Sequence, residues 1–255
     1  MKLPDPVFPP LLTGHPVNAP DRPFDVAVAG AEGGTFGAGD LVWARDVSRL
    51  DCALVLEPTV ERRRAAEMPF VAMVAFGDSF GAIAPPEVGL TYRWPLTLCV
   101  NGARAGWVRA AMSDDDDANG HPRWMVVGLT LEIRRNKREA EPGREPDVTD
   151  LFEEGCGDLN RTELLDSYAR HLLTWIHTWE TEGFGPAHEL MLFRAEGYRE
   201  QVDVDHAGRR HDGRFAGLDD NGNMILETAE GTIMLDVLDA FETPQPAADA
   251  AEEQA

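Results

Sequence analysis

The feature that most constrains this chain is the run from Asn160 to Glu182, where Leu164, Leu165, Tyr168, His171, Leu172, Trp175, Ile176 and Trp179 recur three and four residues apart. Side chains at that spacing line one side of an α-helix, which must lay its apolar face on a neighbour. The preceding sequence supplies a sheet for it. Leu41 to Trp43 and Ala53 to Leu56 are short, β-prone apolar runs, the second ended by Pro58. Asn101-Gly102 joins Leu98–Val100 to Ala105–Val108, a dipeptide suited to a tight hairpin turn with positive φ at both central residues. Gly106–Met112 and Trp124–Ile133 flank a second connection, Ser113 to Pro122, in which Asp114 to Asp117 and Asn119-Gly120 mark an exposed loop.

Three more helices are expected. The segment from Pro23 (PFDVAVAGAEGG) is short and closes at Gly37 to Asp40. Val60 to about Ile83 is charged at its start and apolar later, as for a helix that dives beneath a sheet. A shorter one, about Ala187 to Ala195, precedes Gly197. Helices and hairpins in this order read as an α+β fold. After Tyr198 the pattern changes to short strands, with turns at Asp220-Asn221-Gly222 and Ala229-Glu230-Gly231, which predicts a small antiparallel β-barrel.

The expected organisation is an extended, proline-rich N-terminal arm (1–22), a main domain (23–196), a small β domain (197–242) and a disordered acidic tail (243–255). A linker rich in both charges, Arg134 to Asp150, precedes the long helix.

Charge narrows the partners. The net charge of −22 repels phosphate backbones and anionic membranes, which argues against non-specific nucleic-acid binding. An anionic ligand must therefore meet a local basic pocket. Cys52, Cys99 and Cys156 are scattered, with no CxxC pair; neither a disulfide framework nor a zinc site is indicated, and a reducing cytoplasm fits. The longest apolar stretch, Met68 to Phe76, is too short to cross a bilayer. The aspartate run 114–117 reads as a solvated loop, and Cys156 as a buried structural cysteine.

Three stretches share an order that resembles the biotin/lipoate protein ligase superfamily, biotin protein ligases in particular. Tyr92-Arg93-Trp94-Pro95 followed by Val100-Asn101-Gly102-Ala103-Arg104-Ala105-Gly106 is similar to that family's Lys-Trp-Pro-Asn-Asp, strand, turn and Lys-x-Gly-Gly. Val126-Val127-Gly128-Leu129-Thr130-Leu131 stands where the family has an apolar Gly-x-Gly-x-Asn strand, and Thr149 to Gly155, the long helix and Glu182-Gly183-Phe184 resemble its last catalytic-domain segment. Gly213 to Gly222 resembles its SH3-like C-terminal domain.

The resemblance implies a mixed sheet packed with helices. It also implies formation of an acyl-adenylate from ATP, with Mg, and biotin, lipoate or an octanoate-like acid, then transfer to a lysine of a biotinyl or lipoyl carrier domain. It implies Arg104 and Arg93 as the catalytic positive charges, and Trp43, Arg45, Arg49, Trp94, Gly106 and Trp107 around the substrate. No protein-held metal is implied. The family's glycine- and arginine-rich lid should fall between the strands at Trp43 and Ala53, where Ala44 to Cys52 is short and lacks glycine. Leu96 and Thr97 replace the Asn-Asp pair, Trp107 the second glycine and Glu132 the strand asparagine. An acyl- or carrier-binding protein without catalysis is the alternative.

Overall fold

The structure is a computed structural model in which residues 3–135 and 147–241 are described. The centre of the expected linker and the whole of the expected acidic tail lie outside these residues. The arm becomes sheet at Thr13: β1 (Thr13–Val17) pairs in parallel with β2 (Asp40–Ala44), and α1 (Pro23–Glu32) connects them. Pro16 is tolerated because β1 is an edge strand.

The next strand, β3 (Arg49–Leu56), starts earlier than the sequence suggested, so only residues 45–48 link it to β2. Leu50, Cys52 and Leu54 point into the main core, whereas Ala53 and Val55 face α1. That alternation carries the strand back through residues first read as connection.

The expected helix from Val60 is two pieces, α2 (Arg62–Ala65) and α3 (Met68–Ile83), with Pro69 in the first turn of the second. Arg62–Ile83 is long and apolar enough by composition to span a membrane, but 78% of the window so defined is buried inside this fold. It is the central core helix.

Then come β4 (Leu90–Arg93), β5 (Thr97–Val100), β6 (Ala103–Met112) and β7 (Met125–Glu132). The β5–β6 turn has Asn101 at φ 50° and Gly102 at φ 88°, as a type I′ turn requires. The large sheet has the order β1-β2-β3-β7-β6-β5-β4 and is antiparallel except at β1–β2.

One face of this sheet packs on α3, α4 (Arg161–Glu182) and α5 (Gly185–Arg194), and the other takes α1. Asn160 caps α4, its side-chain oxygen accepting from the N–H groups of Thr162 and Glu163. On the α1 side, Phe24 and Ala27 cover Val42, Ala53, Val55 and Val126. Gly128 makes room there, since a Cβ would run into the Phe24 ring.

The C-terminal strands β8 (Gln201–His206), β9 (Arg209–Leu218), β10 (Met224–Thr228) and β11 (Gly231–Leu235) form an antiparallel sheet in the order β11-β10-β9-β8. The expected barrel does not close among the described residues. Val204, Phe215, Leu218, Met224, Leu226 and Leu235 are buried in the same core as α3 and the large sheet. The large sheet and its helices cover the apolar face that a barrel would have folded onto itself.

Candidate functional site

Strand alternation builds a polar row on the α1 face of the large sheet. In register, Asp51 of β3 stands opposite Thr130 of β7, Thr130 opposite Trp107 of β6, and Trp107 opposite Thr97 of β5. Beside that row, Arg49 is opposite Glu132, and their side chains approach to 3.4 Å. The register of β5 and β6 shifts between Leu98 and Cys99, which brings Arg104 opposite Cys99. Arg104 and Trp107 thereby share a face, the guanidinium lying 5.6 Å from the indole centroid. Among the described residues the Arg104 guanidinium makes no ion pair.

Backbone contacts fix Arg104 at the point where β6 changes partner. Its N–H donates to the Asp147 carbonyl (2.8 Å) and its carbonyl accepts from Thr149 (2.9 Å). Gly106 follows at the close approach of β6 to β7, where a Cβ would run into the Thr130 carbonyl and the Leu131 backbone. Its lack of a side chain is explained by strand packing.

Arg93 faces the same side, and Cys99 feels the charge of both Arg93 and Arg104. Arg93 is nevertheless committed: Nε donates to Glu196 at 2.9 Å and Nη2 to the Gly102 carbonyl at 3.2 Å. Glu196 also accepts from the Thr91 hydroxyl at 2.6 Å. Burial, reinforced by Glu196, pushes the Cys99 thiol up to about 12, so it is no thiolate nucleophile at neutral pH. Cys156 is buried too, and burial raises its pKa.

The structure separates the remaining expected residues from this face. Trp43 is buried on the opposite side of the sheet, in the core beneath Arg161, whose guanidinium carbon is 4.8 Å from its ring centroid. Arg45 lies over the same ring at 5.6 Å and pairs with Asp5 of the arm at 2.6 Å. Trp94 faces the C-terminal sheet, with its indole N–H donating to the Gly222 carbonyl at 3.0 Å and its ring 5.0 Å from His206. A cleft lined by Arg64, Glu67, Phe184, His188 and Asp220 lies at this junction.

The arm does not supply the missing lid among the described residues. Pro4 accepts hydrogen bonds from Arg161 and Thr162, and Phe8 packs on Trp43, all on the helical side.

Asp51 is the site residue that the sequence reading passed over. Its signal was the two-residue alternation of Arg49, Leu50, Asp51 and Cys52, which was masked by reading these positions as a loop. Burial pushes the Asp51 carboxyl up to about 6, against the lowering influence of Arg49, the Thr130 hydroxyl and Arg109. The folded carboxyl thus binds its proton more tightly than the unfolded one, and this contribution to stability falls as pH rises from about 4 to about 6. Asp51→Asn is expected to stabilise the chain at pH 7.5 by about 1–3 kcal/mol. Denaturant melts from pH 4 to 7.5 check this, and a gap between the two proteins that does not narrow at low pH would refute the shift.

The fold is thus a seven-stranded mixed sheet with helices on both faces and a small C-terminal β-sheet, and Arg104 and Trp107 share the polar face of the large sheet. The sequence profile of the biotin/lipoate A/B protein ligase family matches residues 8–192. The chain belongs to that family.

A biotin ligase for acetyl-CoA carboxylase from Paracoccus denitrificans is 26% identical over 201 residues, covering 78% of this chain and 82% of that one. The bifunctional ligase/repressor BirA of Bacillus subtilis is 22% identical, with 84% of this chain and 64% of that protein covered. Among solved structures, a biotin protein ligase-like protein of unknown function from Silicibacter sp. has a TM-score of 0.82 at 37% identity, covering 93% of this chain and 99% of that one. The Aquifex aeolicus biotin protein ligase in complex with biotin and ATP has a TM-score of 0.69 at 16% identity, covering 88% and 95%, a likeness of fold.

Proposed function

We propose that this protein binds a carboxylic acid of the biotin, lipoate or octanoate class on the polar face of the large sheet. The acid is joined to a lysine of a biotinyl or lipoyl carrier domain. The observation that carries the reading is Arg104, a guanidinium stacked on Trp107 with no carboxylate partner among the described residues. Such a fork can hold a carboxylate by two parallel hydrogen bonds and stabilise the charge that develops as that carboxylate attacks a phosphate. Relatives support the class: a named biotin ligase shares most of its length with this chain, and a related ligase has been seen with biotin and ATP.

In this reading ATP is the activating co-substrate: the acid's oxygen displaces pyrophosphate, and the carrier lysine then displaces AMP. Residues 23–196 carry the site and 197–242 form the satellite domain, in a cytoplasmic protein. The described residues contain no cluster of three or more His, Cys, Asp or Glu side chains suited to a metal. In this reading Mg enters with the nucleotide.

Two observations favour a second reading, acid or carrier binding without activation. The lid interval is reduced to residues 45–48, and Leu96 and Thr97 stand in place of the Asn-Asp pair.

The test is incubation with ATP and biotin, lipoate or octanoate, with pyrophosphate release and acyl-adenylate followed by mass spectrometry. Turnover with one acid is expected under the first reading. Calorimetric binding without turnover selects the second, and no binding of any acid removes both.

A further inference from the structure

The polar face carries a carboxylate that feels the charge of Arg49 and Arg109 but, among the described residues, forms a direct ion pair with neither. Asp51 shares the row with Thr130 and Trp107, and its hydrogen bond among the described residues is a long one from the Thr130 hydroxyl, 3.3 Å. The neighbouring arginines are engaged by other acids. Arg49 approaches Glu132, while Arg109 approaches Asp25 at 3.5 Å and lies 4.1 Å over the Phe24 ring. A carboxylate has about four acceptor positions, and most of those on Asp51 are left for a ligand or for water.

A bound acid held by Arg104 would extend toward this carboxylate. Asp51 and Arg104 sit on β3 and β6, with β7 between them. Two strand spacings of about 4.8 Å, and the offset along the strands, place their Cα atoms roughly 11–13 Å apart. The diagonal between them crosses β7 between Thr130 and Glu132, with Trp107 further along the Asp51 row. An alkyl or dithiolane tail laid along it would strip water from Asp51 and return no hydrogen bond, leaving a desolvated charge uncompensated. A tail ending in an N–H donor would supply the missing partner, and an ammonium would supply charge as well.

We propose that this face selects carboxylic acids whose far end carries an N–H donor, a cationic one above all, and that Asp51 reads that group. The inference rests on the reading in which Arg104 holds the acid's carboxylate. It narrows the substrate class, disfavouring plain fatty acids and lipoate.

Two probes of equal length separate the ideas, octanoate and 8-aminooctanoate, titrated calorimetrically at pH 7.5 into the full chain, Asp51→Asn and Arg104→Ala. The expected result is 8-aminooctanoate binding about tenfold tighter or more, as one charge-assisted hydrogen bond allows. That preference should fall below about twofold in Asp51→Asn and both acids should be weakened in Arg104→Ala. Because Asp51→Asn relieves a buried charge, loss of fold does not confuse the result. Octanoate binding as tightly as its amino analogue would overturn the inference and leave the acid-binding reading standing. A preference that persists in Asp51→Asn overturns the assignment to Asp51. Binding of neither acid overturns the inference, and the biotin and lipoate titrations then decide the reading beneath it.

Discussion

Trp43→Ala is expected to lose about 3–5 kcal/mol of folding stability, the range for a large buried aromatic truncated in a close-packed core. The same substitution should leave acid binding within about threefold of the parent. The size of the effect follows from where the ring lies. Trp43 is 2% exposed, edge-on to Phe8 at 6.5 Å, with Arg161 against its face. Arg161 is itself 2% exposed, and burial lowers its pKa. Removing the indole leaves a cavity and takes away the aromatic face that offsets part of the cost of burying a guanidinium.

The arm should loosen too. Its anchors, Pro4 on Arg161 and Thr162, Asp5 on Arg45, and Val7 on Asp166, all gather around the Trp43 and Arg161 stack. Denaturant unfolding with an unchanged slope reads the stability, and hydrogen exchange over residues 3–17 reads the arm. A folded Trp43→Ala protein that no longer binds acid would show that Trp43 acts on the site after all, against its position on the far face of the sheet.

Trp43 also shows what the sequence could and could not reveal. Element types were legible because local chemistry wrote them: the three-and-four spacing of α4 and the Asn101-Gly102 turn each depend on neighbours in the chain. The side of the sheet to which a residue points depends on register, and a shift of one position reverses it. Reading 44–52 as a connection hid the start of β3, and with it the placement of Asp51 on the site face. The β5–β6 register shift, invisible in sequence, is what sets Arg104 and Trp107 on a common face. Arg93 stood at the right place in the motif, yet Glu196, 103 residues away in sequence, occupies it. The C-terminal strands were legible because turn spacing reports strands, whereas barrel closure depends on what covers their apolar face, which turn spacing does not report.

Arg104→Ala is expected to weaken acid binding by about 10- to 150-fold, the equivalent of about 1.5–3 kcal/mol for hydrogen bonds to a charged group. Global stability should change little, because Arg104 makes no ion pair among the described residues and its stacking on Trp107 is worth about 0.5–1 kcal/mol. Arg104→Lys should fall between the two proteins, keeping the charge but losing the planar fork that grips both carboxylate oxygens. Arg93→Ala makes the contrast. It breaks the contacts to Glu196 and Gly102, and so should disturb the β4–β5 edge while changing acid affinity by less than about threefold. Calorimetric titration of the four proteins with the same acid measures the series, with thermal unfolding as the control for fold. Equal losses in Arg93→Ala and Arg104→Ala would mean that Glu196 releases Arg93 when the ligand arrives. The site would then be a two-arginine clamp assembled on binding, and the apparent pairing of Arg93 would be its resting state. No loss in Arg104→Ala would remove the acid from this face and with it the physical basis for ligase chemistry there.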